Sequence, residues 1–396
     1  MKKTLDDFNF KGQKALVRVD FNVPLEEGKI TDDARIVAAL DTIKYILDDG
    51  GSLILLSHLG RPKGQAKKEF SLEPVAKRLE ELLERRVDFV QSDLVVDDGV
   101  KEKLATMEEG EVVLLENTRY RKEEEANDEG FAKDLASLGD IYINDAFGTA
   151  HRAHASNQGL AAFLPSGVGR LVEKELSIMG KALRDPTRPF VAILGGAKVS
   201  DKISVIENLL DKVDTILIGG GMAYTFLKAK GLEIGKSLLE ADRVDYAKGL
   251  LAKAEEKGVD LLLPVDNVVA DSFDGPERVE VRPSADIPQD MMGMDIGPKT
   301  IEVYGEKIKE AGTVVWNGPM GVFEKEEFSK GTFEVARAMK ECTGLTIVGG
   351  GDSALAVERA GYKEDMGHVS TGGGASLKFL EGSPLIGLEK IENKGD

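Results

Sequence analysis

The chain has 396 residues, of which 42% are hydrophobic and 31% are charged, a composition that is ordinary for a globular protein and excludes a disordered or fibrous one. Its formal net charge of -18 argues against a protein that coats nucleic acid or an anionic membrane. No stretch approaches the roughly 18 to 20 apolar residues that span a bilayer, and "MKKTLDDFNF" at the N-terminus lacks an apolar signal segment, so we expect a cytoplasmic protein without a nucleic-acid or membrane partner.

The first half of the chain predicts strands that alternate with helices. Continuous runs of Val, Ile and Leu indicate strands that are buried on both faces, and the segments between them have helical periodicity. The predicted strands are "KALVRVDF" (14–21), "SLILLS" (52–57), "EVVLLEN" (111–117) and "IYINDAF" (141–147). The predicted helices lie at 32–50, 72–86 and 128–139. This alternation is typical of a parallel sheet that is covered by helices.

A domain boundary is predicted near the middle of the chain. An amphipathic helix, "LVEKELSIMGKALRD", is closed by "DPTRP", whose two prolines stop the helix and make a stiff connector. We therefore expect a first domain at 1–170, a hinge helix and linker at 171–188, and a second domain at 189–379. The predicted fold class is α/β, with two doubly wound parallel-sheet (Rossmann-like) lobes joined by the hinge helix.

The second half repeats this architecture without a visible sequence repeat. Its predicted strands are "FVAILGG" (190–196), "TILIGGG" (215–221), "LLLPVDNVVA" (261–270), "TVVWNGPMG" (313–321) and "LTIVGGG" (345–351). Its predicted helices lie at 201–213, 243–258 and 298–312. Both halves therefore indicate sheets whose ligands bind outside the carboxyl ends of the strands.

Glycines collect at the predicted strand ends of the second half. They form "GGAK" (195–198), "GGGM" (219–222), "GGGDS" (349–353) and "TGGGAS" (371–376). A glycine turn lets backbone N–H groups approach a phosphate and place it at a helix N-terminus, where the helix dipole favours negative charge. One such turn is as often a plain strand-to-helix connection. Four at corresponding ends of one sheet predict phosphate binding.

Two further glycine patterns test this interpretation. "GLEIGKS" (231–237) resembles a P-loop, but it has three residues between its glycines instead of four and follows a helix. "GGGDSA" (349–354) fits the dinucleotide pattern, but Asp352 would then point a carboxylate at a pyrophosphate. A divalent cation between the two removes that repulsion, so Asp352 favours a magnesium nucleotide over NAD.

The single cysteine, Cys342, excludes an internal disulfide and a multi-cysteine metal site.

The first glycine turn leads into two lysines, Lys198 and Lys202. We predict that a helix begins at Val199, and a spacing of four would then put both ammonium groups on one face of the helix start. If the stretch stood alone, two solvated surface lysines would be the better interpretation.

The first half carries its cations in loops at strand ends. They are Arg18, Arg35, His58, Arg61, Arg119, Arg121, His151, Arg152 and His154, and Asp20 lies among them. A single arginine is more often part of a surface ion pair, but this collection at one sheet edge predicts a basic site for a small, multiply charged anion. "HRAH" (151–154) also suggests a metal pair, and we favour anion binding because no carboxylate or third histidine lies nearby in sequence.

A nucleotide domain and an anion domain together imply transfer of a phosphoryl group between two bound ligands. Such a transfer needs alignment and neutralisation of charge more than a protein acid or nucleophile. Water must also be kept out, because it would hydrolyse the donor, and two domains on a hinge can close to exclude it.

The motifs taken together resemble the phosphoglycerate kinase family. They are "RVDFNVP", "SHLGRP", "NTR", "NDAFGTAHRAHAS", "GGAKVSDKI", "GGGMAYTF", "MDIGPKT", "WNGPMGVFE", "GGGDSA" and "STGGGAS", in the order of the family. The resemblance implies reversible transfer between the acyl phosphate of 1,3-bisphosphoglycerate and MgADP, giving 3-phosphoglycerate and MgATP, with Mg²⁺ as cofactor. It also implies a monomer, with 1–170 as the phosphoglycerate-binding domain, 189–379 as the nucleotide-binding domain, and a C-terminal tail, about 380–396, that returns to the first domain.

The resemblance assigns site residues position by position. It implies that phosphoglycerate is held by Asp20, Phe21, Asn22, Arg35, His58, Leu59, Gly60, Arg61, Arg119 and Arg152. It implies nucleotide contacts from Gly195, Gly196, Lys202, Gly219, Gly293, Asn317, Pro319, Glu324, Gly350, Gly351, Asp352 and Ser353. The implied catalytic positions are Arg35, Lys198, Gly372, Gly373 and Gly374. Arg35 would neutralise the transferring group, Glu324 would meet the ribose, Asp352 would hold the metal, and Lys198 would follow the moving group while Lys202 anchors the nucleotide.

Two other functions remain as alternatives. A nicotinamide-dependent oxidoreductase would bind NADH tightly without help from Mg²⁺. A non-catalytic, two-lobed metabolite-binding protein would not need four turns of the nucleotide type.

Overall fold

The computed structural model describes residues 1–395, which form two compact units. Unit 1 consists of Met1–Ser177 together with the C-terminal segment from Pro384, and unit 2 is Ile178–Ser383. The first boundary falls inside a long helix, Arg170–Arg184, in the stretch where the sequence predicted a hinge helix. The C-terminal segment is tied to unit 1 by a hydrogen bond from the Gly387 N–H to the Ala150 carbonyl oxygen (2.8 Å).

Unit 1 is built on a six-stranded sheet. Its strands are β1 (Lys14–Val19), β4 (Ser52–Leu56), β5 (Asp88–Val90), β6 (Val112–Leu115), β7 (Ile141–Asp145) and β8 (Ser166–Val168), with a short hairpin of β2 (Leu25–Glu26) and β3 (Lys29–Ile30). Its helices are α1 (Ala34–Ala38), α2 (Leu40–Asp48), α3 (Glu73–Leu83), α4 (Asp98–Ala105), α5 (Lys122–Glu125) and α6 (Glu129–Ala136), and α7 (Arg170–Arg184) leads out of the unit.

All neighbouring strands of this sheet are parallel, in the order β5-β6-β4-β1-β7-β8. Ala15, Val17 and Val19 of β1 pack in one core cluster with residues of α1 to α3. Leu16, which points to the opposite face, is also fully buried. Burial on both faces explains why the strands are nearly continuous apolar runs. The chain leaves β1 first toward β4 and later returns to β7, so the carboxyl end of β1 is a topological switch point.

Unit 2 contains a second parallel sheet, in the order β11-β10-β9-β15-β16-β17. Its strands are β9 (Phe190–Leu194), β10 (Thr215–Ile218), β11 (Asp260–Leu262), β15 (Thr313–Asn317), β16 (Leu345–Gly349) and β17 (His368–Val369). The helices of the unit are α8 (Ile203–Leu209), α9 (Met222–Ala229), α10 (Val244–Lys257), α11 (Pro298–Lys309), α12 (Lys330–Glu341), α13 (Gly351–Arg359) and α14 (Gly373–Leu380). The two parallel sheets confirm the predicted α/β, doubly wound class.

A three-stranded antiparallel sheet in unit 2 was not predicted. It consists of β12 (Asp266–Ala270), β13 (Val279–Pro283) and β14 (Met292–Ile296), in the order β13-β12-β14. The predicted strand 261–270 is therefore wrong as one element, because β11 ends at Leu262 and Pro264 separates it from β12. No helix within residues 1–395 is both long enough and apolar enough to cross a membrane.

Candidate functional site

At the switch point of unit 1, Asp20 follows β1 directly and lies between two basic side chains. Its Oδ2 accepts a hydrogen bond from Arg35 Nη1 at 2.7 Å, and its Oδ1 lies 4.0 Å from His58 Nδ1. Oδ1 itself has no hydrogen-bond partner, although it is buried. Buried polar atoms are almost always paired, so this orphaned oxygen marks a place where a polar ligand or water belongs.

His58 is a neutral imidazole surrounded by guanidinium groups. Burial lowers its pKa well below the ordinary value, and the charges of Arg18, Arg119, Arg152 and Arg35 lower the pKa further. Arg18, which is fully buried in β1, donates from Nη2 to His58 Nδ1 at 3.2 Å. Because Nδ1 accepts, the proton of the neutral ring lies on Nε2, which is therefore a hydrogen-bond donor.

Arg119 holds unused donors inside the protein. Its side chain is buried, and its Nη1 donates to the Gly60 carbonyl oxygen at 3.0 Å, while Nε and Nη2 have no hydrogen-bond partner. Nε lies 3.5 Å from a carboxylate oxygen of Glu125. Burial lowers the pKa of Arg119 to about 10, so the guanidinium is still charged at neutral pH. A buried guanidinium with free N–H groups is suited to bind an oxyanion.

The loops around Arg119 are fixed by backbone contacts of the other predicted residues. Asn22 Oδ1 accepts from the Gly60 N–H at 2.8 Å, and the Phe21 N–H donates to Ser57 Oγ at 2.9 Å. The Leu59 carbonyl oxygen accepts from Asn117 Nδ2 at 2.7 Å. These contacts shape the site through the main chain. The structure places the two remaining predicted side chains more openly, with Arg152 half-buried and Arg61 exposed.

A buried carboxylate under this basic cluster was missed by the sequence analysis. Glu124 is fully buried, and it accepts hydrogen bonds from the Ser156 N–H at 2.9 Å and from the Ser156 hydroxyl. It also lies 3.9 Å from His154 Nδ1, and the pKa of His154 is lowered to about 3, chiefly by burial. The run "KEEE" (122–125) is typical of a solvent-exposed helix, so the sequence pattern does not distinguish the buried Glu124 from its neighbours in the run. Glu124 thus supplies a carboxylate next to "HRAH" (151–154) in space, although no carboxylate lies near that motif in the sequence.

In unit 2, the glycine turns meet at one segment, Asn317–Val322, which we call the central segment. The Gly195 N–H donates to the Asn317 carbonyl oxygen at 3.0 Å, and the Gly196 N–H to the Pro319 carbonyl oxygen at 3.1 Å. A Cβ at Gly195 would lie 2.1 Å from the Pro319 oxygen, so only glycine allows this approach. The turn after β9 is therefore fastened to the central segment.

Two other turns are fastened to the same segment. After β10, Gly220 has a φ of 69° and donates its N–H to the Met320 carbonyl oxygen at 2.8 Å. The preceding Gly219 leaves room for the Met320 sulfur, which a Cβ would approach to 2.4 Å. After β16, Ser353 Oγ accepts from the Gly318 N–H at 2.7 Å. The central segment thus joins three of the four predicted phosphate turns.

The turn after β16 opens helix α13. Gly350 has a φ of 97° and precedes Gly351, at which the helix begins. Asp352 lies in the first turn with an exposed side chain. Glu324, which follows the central segment, is also exposed. Within residues 1–395, no group of three or more His, Cys, Asp or Glu side chains is arranged to hold a metal ion.

The predicted helix start at Val199 is wrong. Helix α8 begins at Ile203, with Lys202 as its N-cap, so Lys198 and Lys202 do not share a helix face. The residues before α8 stay out of the helix because Ser200 gives its N–H (3.0 Å) and its hydroxyl to the carboxylate of Glu240. The two lysines consequently lie in different environments, whereas two lysines on one helix face would have had similar surroundings.

Lys202 is buried and Lys198 is exposed. The Lys202 ammonium donates to Asn317 Oδ1, and burial lowers the pKa of Lys202 to about 8. On the other side of Asn317, Nδ2 is buried without a hydrogen-bond partner. Lys202 and Asn317 thus present a cation and an unused donor beside the glycine turns.

The remaining predicted glycines lie at the edges of this arrangement. Helix α14 begins at Gly373 with Gly372 as its N-cap, and Gly374 lies in its first turn. The helix start packs on the end of β16, because a Cβ at Gly349 would lie 3.1 Å from Ser376 Oγ and 3.5 Å from Asn317 Nδ2. Gly293 of β14 leaves room for the ring of Tyr224. The first-turn N–H groups of α14 are suited to an anion.

Comparisons with known proteins agree on one family. A family model described as phosphoglycerate kinase matches residues 5–383. A phosphoglycerate kinase from Clostridium novyi (strain NT) is 59% identical over 394 residues, covering 99% of each chain, and one from Finegoldia magna is 58% identical over 393 residues, covering 99% of this chain and 100% of that one. Among solved structures, phosphoglycerate kinase from Coxiella burnetii has a TM-score of 0.91 and 43% identity, covering 99% of both chains. The enzyme from Pyrococcus horikoshii OT3 has a TM-score of 0.81 and 34% identity, covering 99% of this chain and 98% of that one.

Proposed function

The chain belongs to the phosphoglycerate kinase family, and from this membership we propose how its two units divide the transfer of a phosphoryl group. Its function is that of a kinase of glycolysis, a phosphotransferase that acts on ATP or ADP and on phosphoglycerates. The oxidoreductase and the non-catalytic binding protein that the sequence left open are not supported. The reaction passes a phosphoryl group between 1,3-bisphosphoglycerate and ADP, giving 3-phosphoglycerate and ATP.

Unit 1 binds the phosphoglycerate. The observation that carries this assignment is Arg119, whose buried guanidinium keeps Nε and Nη2 without hydrogen-bond partners. Four guanidinium groups around the neutral His58 suit a ligand with several negative charges, and Nε2–H of His58 adds a neutral donor. In our proposal, unit 1 is the phosphoglycerate-binding domain that the sequence predicted at 1–170. It includes the C-terminal tail that was expected to return to this domain.

Unit 2 binds the nucleotide. Support comes from the three glycine turns joined by the central segment, from the ammonium of Lys202 and from the unpaired Nδ2 of Asn317. We assign the phosphates to the turn at Gly350–Ser353 and to the Lys202 ammonium beside the Gly195–Gly196 turn, because the N–H groups of Gly195 and Gly196 donate to the central segment. We assign Glu324 to the ribose. Gly219 and Gly293 border the nucleotide in this assignment, and their missing side chains leave room for Met320 and for the ring of Tyr224.

The transferring group is held by charges and by main-chain donors. Arg35 is oriented by Asp20, which leaves the rest of its guanidinium for the ligand. Lys198 is exposed and therefore able to follow a group that moves. Gly373 and Gly374 offer the N-terminal amides of α14, whereas the N–H of Gly372, its N-cap, donates to Ser370 Oγ at 3.1 Å. Positioning and neutralisation of the equatorial oxygens are the main requirements of this reaction, so no protein nucleophile is needed.

Mg²⁺ is the cofactor that we propose for the nucleotide, with Asp352 as its protein ligand. One exposed carboxylate beside a phosphate turn fits this ion, which usually takes one or two carboxylates together with phosphate oxygens and water. When bound, the ion neutralises charge on the nucleotide phosphates. Asp352 orients it, and the glycine turn keeps the surrounding backbone close.

Movement, assembly and location complete the proposal. Since each unit binds one ligand, transfer requires the units to close on the hinge and exclude water. We propose that α7 serves as the hinge helix, within the predicted linker 171–188, and that the protein works as a monomer in the cytoplasm. Size-exclusion chromatography with light scattering tests the monomer, and a larger mass would contradict it.

The decisive experiment measures the reaction and the two sites separately. The protein is mixed with 3-phosphoglycerate and MgATP, and ADP formation is followed with a trap for the acyl phosphate. We expect Arg119→Met to raise the KM for 3-phosphoglycerate and Lys202→Ala to raise the KM for ATP. No ADP above a protein-free control would refute the activity. If Arg119→Met instead raised the KM for ATP and Lys202→Ala the KM for 3-phosphoglycerate, the assignment of the ligands to the two units would be wrong.

A further inference from the structure

A buried carboxylate lies beneath the central segment, at the end of β14. Asp295 Oδ2 accepts the N–H of Gly331, in the first turn of α12, at 2.6 Å, and Oδ1 accepts the N–H of Ile296 at 2.9 Å. Gly321 of the central segment lies directly against it, because a Cβ at that glycine would come within 2.3 Å of Asp295 Oδ1. Both carboxylate oxygens are thus used, and the main chain of the central segment rests on the carboxylate.

The contact reaches the glycine turns through helix α12. Next to Gly331, the hydroxyl of Thr332 accepts the N–H of Met320 at 3.0 Å, and the Met320 carbonyl oxygen accepts the N–H of Gly220 at 2.8 Å. The N–H of Val322 is held at 2.9 Å by a carbonyl oxygen of β14 itself. Asp295 therefore fixes the place at which α12 and β14 hold the central segment.

The carboxylate is held without a cation. Within residues 1–395 it forms no ion pair, and burial raises the pKa of Asp295 to about 7. The titratable side chain that faces it is Tyr224 of α9, whose pKa is raised chiefly by burial and further by the Asp295 charge. Helix α12 and the central segment face it with main-chain atoms. A buried charge held only by amides is costly, and what distinguishes Asp295 from the similarly held Asp266 is its contact with the central segment.

We propose that Asp295 is a positioning residue for the nucleotide, which holds the central segment so that the turns after β9, β10 and β16 keep their binding geometry. The inference rests on the proposed nucleotide site of unit 2. In this proposal Asp295 does not contact the nucleotide or the transferring group. It acts through Gly321, Gly331 and Thr332.

The test compares Asp295→Asn with a matched variant, Asp266→Asn. An asparagine at 295 has one acceptor for two N–H groups and turns an NH₂ toward one of them. Asp266 is a buried strand-end carboxylate too, and it accepts the N–H groups of Lys299 (3.0 Å) and Thr300 (2.8 Å) at the start of α11. At a pH well above 7, where Asp295 is ionised, we expect Asp295→Asn to raise the KM for ATP about tenfold, which corresponds to about 1.4 kcal/mol, with the KM for 3-phosphoglycerate unchanged. Asp266→Asn is expected to lower the melting temperature and to leave both KM values unchanged.

A pH profile separates positioning from general destabilisation. Protonation removes one acceptor from Asp295, so kcat/KM for ATP is expected to fall as the pH decreases through about 7. Asp295→Asn has lost this group, and the ratio of wild-type to variant kcat/KM is expected to shrink over the same range. The titration of ATP itself affects both proteins and cancels in the ratio. A ratio that is independent of pH would overturn the role of the ionised carboxylate.

A second pair of variants keeps the inference testable if Asp295→Asn does not fold. Thr332→Val removes the acceptor for the Met320 N–H at nearly constant volume, and Thr332→Ser retains it. We expect the KM for ATP to rise in Thr332→Val and to be restored in Thr332→Ser. An unchanged KM for ATP in folded Asp295→Asn or in Thr332→Val overturns the inference. If Lys202→Ala also leaves that KM unchanged, the nucleotide site itself is wrong, whereas an effect of Lys202→Ala alone shows that only the inference fails.

Discussion

Lys202 gives a quantitative test of the nucleotide site, because its charge destabilises the ligand-free protein. Its side chain is 8% exposed, and burial lowers its pKa from the ordinary 10.5 to about 8. At 1.36 kcal/mol for each pKa unit, this difference corresponds to about 3 kcal/mol of lost stability while the lysine is charged. Lys202→Met removes that penalty but leaves Asn317 Oδ1 without its donor, which costs about 1 to 3 kcal/mol.

The pH dependence distinguishes these two effects. Below a pH of about 8, Lys202 is charged in both the folded and the unfolded chain, so the full penalty applies. Between about 8 and 10.5, the folded protein has released the proton while the unfolded chain still holds it. The unfolded state then binds more protons, and the free energy of unfolding rises with pH. At about pH 9.5, wild type is expected to have gained about 2 kcal/mol relative to Lys202→Met.

The single tryptophan allows this to be measured in unit 2. Trp316 is fully buried in β15, so its fluorescence during denaturant unfolding reports on this unit. Unfolding curves of wild type and Lys202→Met at pH 7 and pH 9.5 give the two differences in free energy, and exposed Lys198→Met serves as the control. Equal differences at both pH values would refute the reasoning.

The same variants test the division of roles between the lysines. A charge-assisted hydrogen bond to a phosphate is worth about 1.5 to 3 kcal/mol, so Lys202→Met is expected to weaken MgADP binding about tenfold or more. Calorimetry measures this affinity. If Lys198→Met weakens it equally, the assignment of Lys202 as the nucleotide anchor is wrong.

Three further predictions concern the other site residues. Arg35→Ala is expected to lower kcat while the protein still folds, because it removes charge stabilisation made mainly in the transition state, and an unchanged kcat would contradict this role. Asp352→Ala should weaken nucleotide binding in the presence of Mg²⁺ more than in its absence, and calorimetry that finds equal losses would exclude it as a metal ligand. Arg119→Met should raise the KM for 3-phosphoglycerate about tenfold or more, since a buried charged donor is lost, and it should leave the KM for ATP alone; a rise in both would indicate a general defect.

The elements that the sequence predicted are those whose physics is local and periodic. Apolar runs such as 190–194 became central strands because both faces of each sheet are buried. The glycines at 195–196 and 350 were predicted to make turns, and Gly196 and Gly350 do have φ values of 108° and 97°. Backbone conformations that other residues rarely adopt leave a visible mark in a sequence.

The features that were missed depend on contacts between distant parts of the chain. Helix α8 begins late because Ser200 bonds to Glu240, forty residues further on, and no local pattern shows that contact. Glu124 and Asp295 are buried carboxylates that look like any charged residue until their partners are known. Periodicity reports which face of an element is apolar, and it says nothing about which polar groups meet.

Unit 2 is a continuous insert in the chain of unit 1, which has a consequence for how the molecule loses its structure. The two parts of unit 1 are separated along the chain by Ile178–Ser383. While unit 2 is folded, its two ends are held at a fixed separation, so the Pro384 segment is tethered close to the rest of its unit. Once unit 2 unfolds, that tether becomes a loop of about two hundred flexible residues, and closing it has an entropic cost that grows with the logarithm of its length. Ligands that keep unit 2 folded therefore protect unit 1 from unfolding through the connectivity of the chain alone.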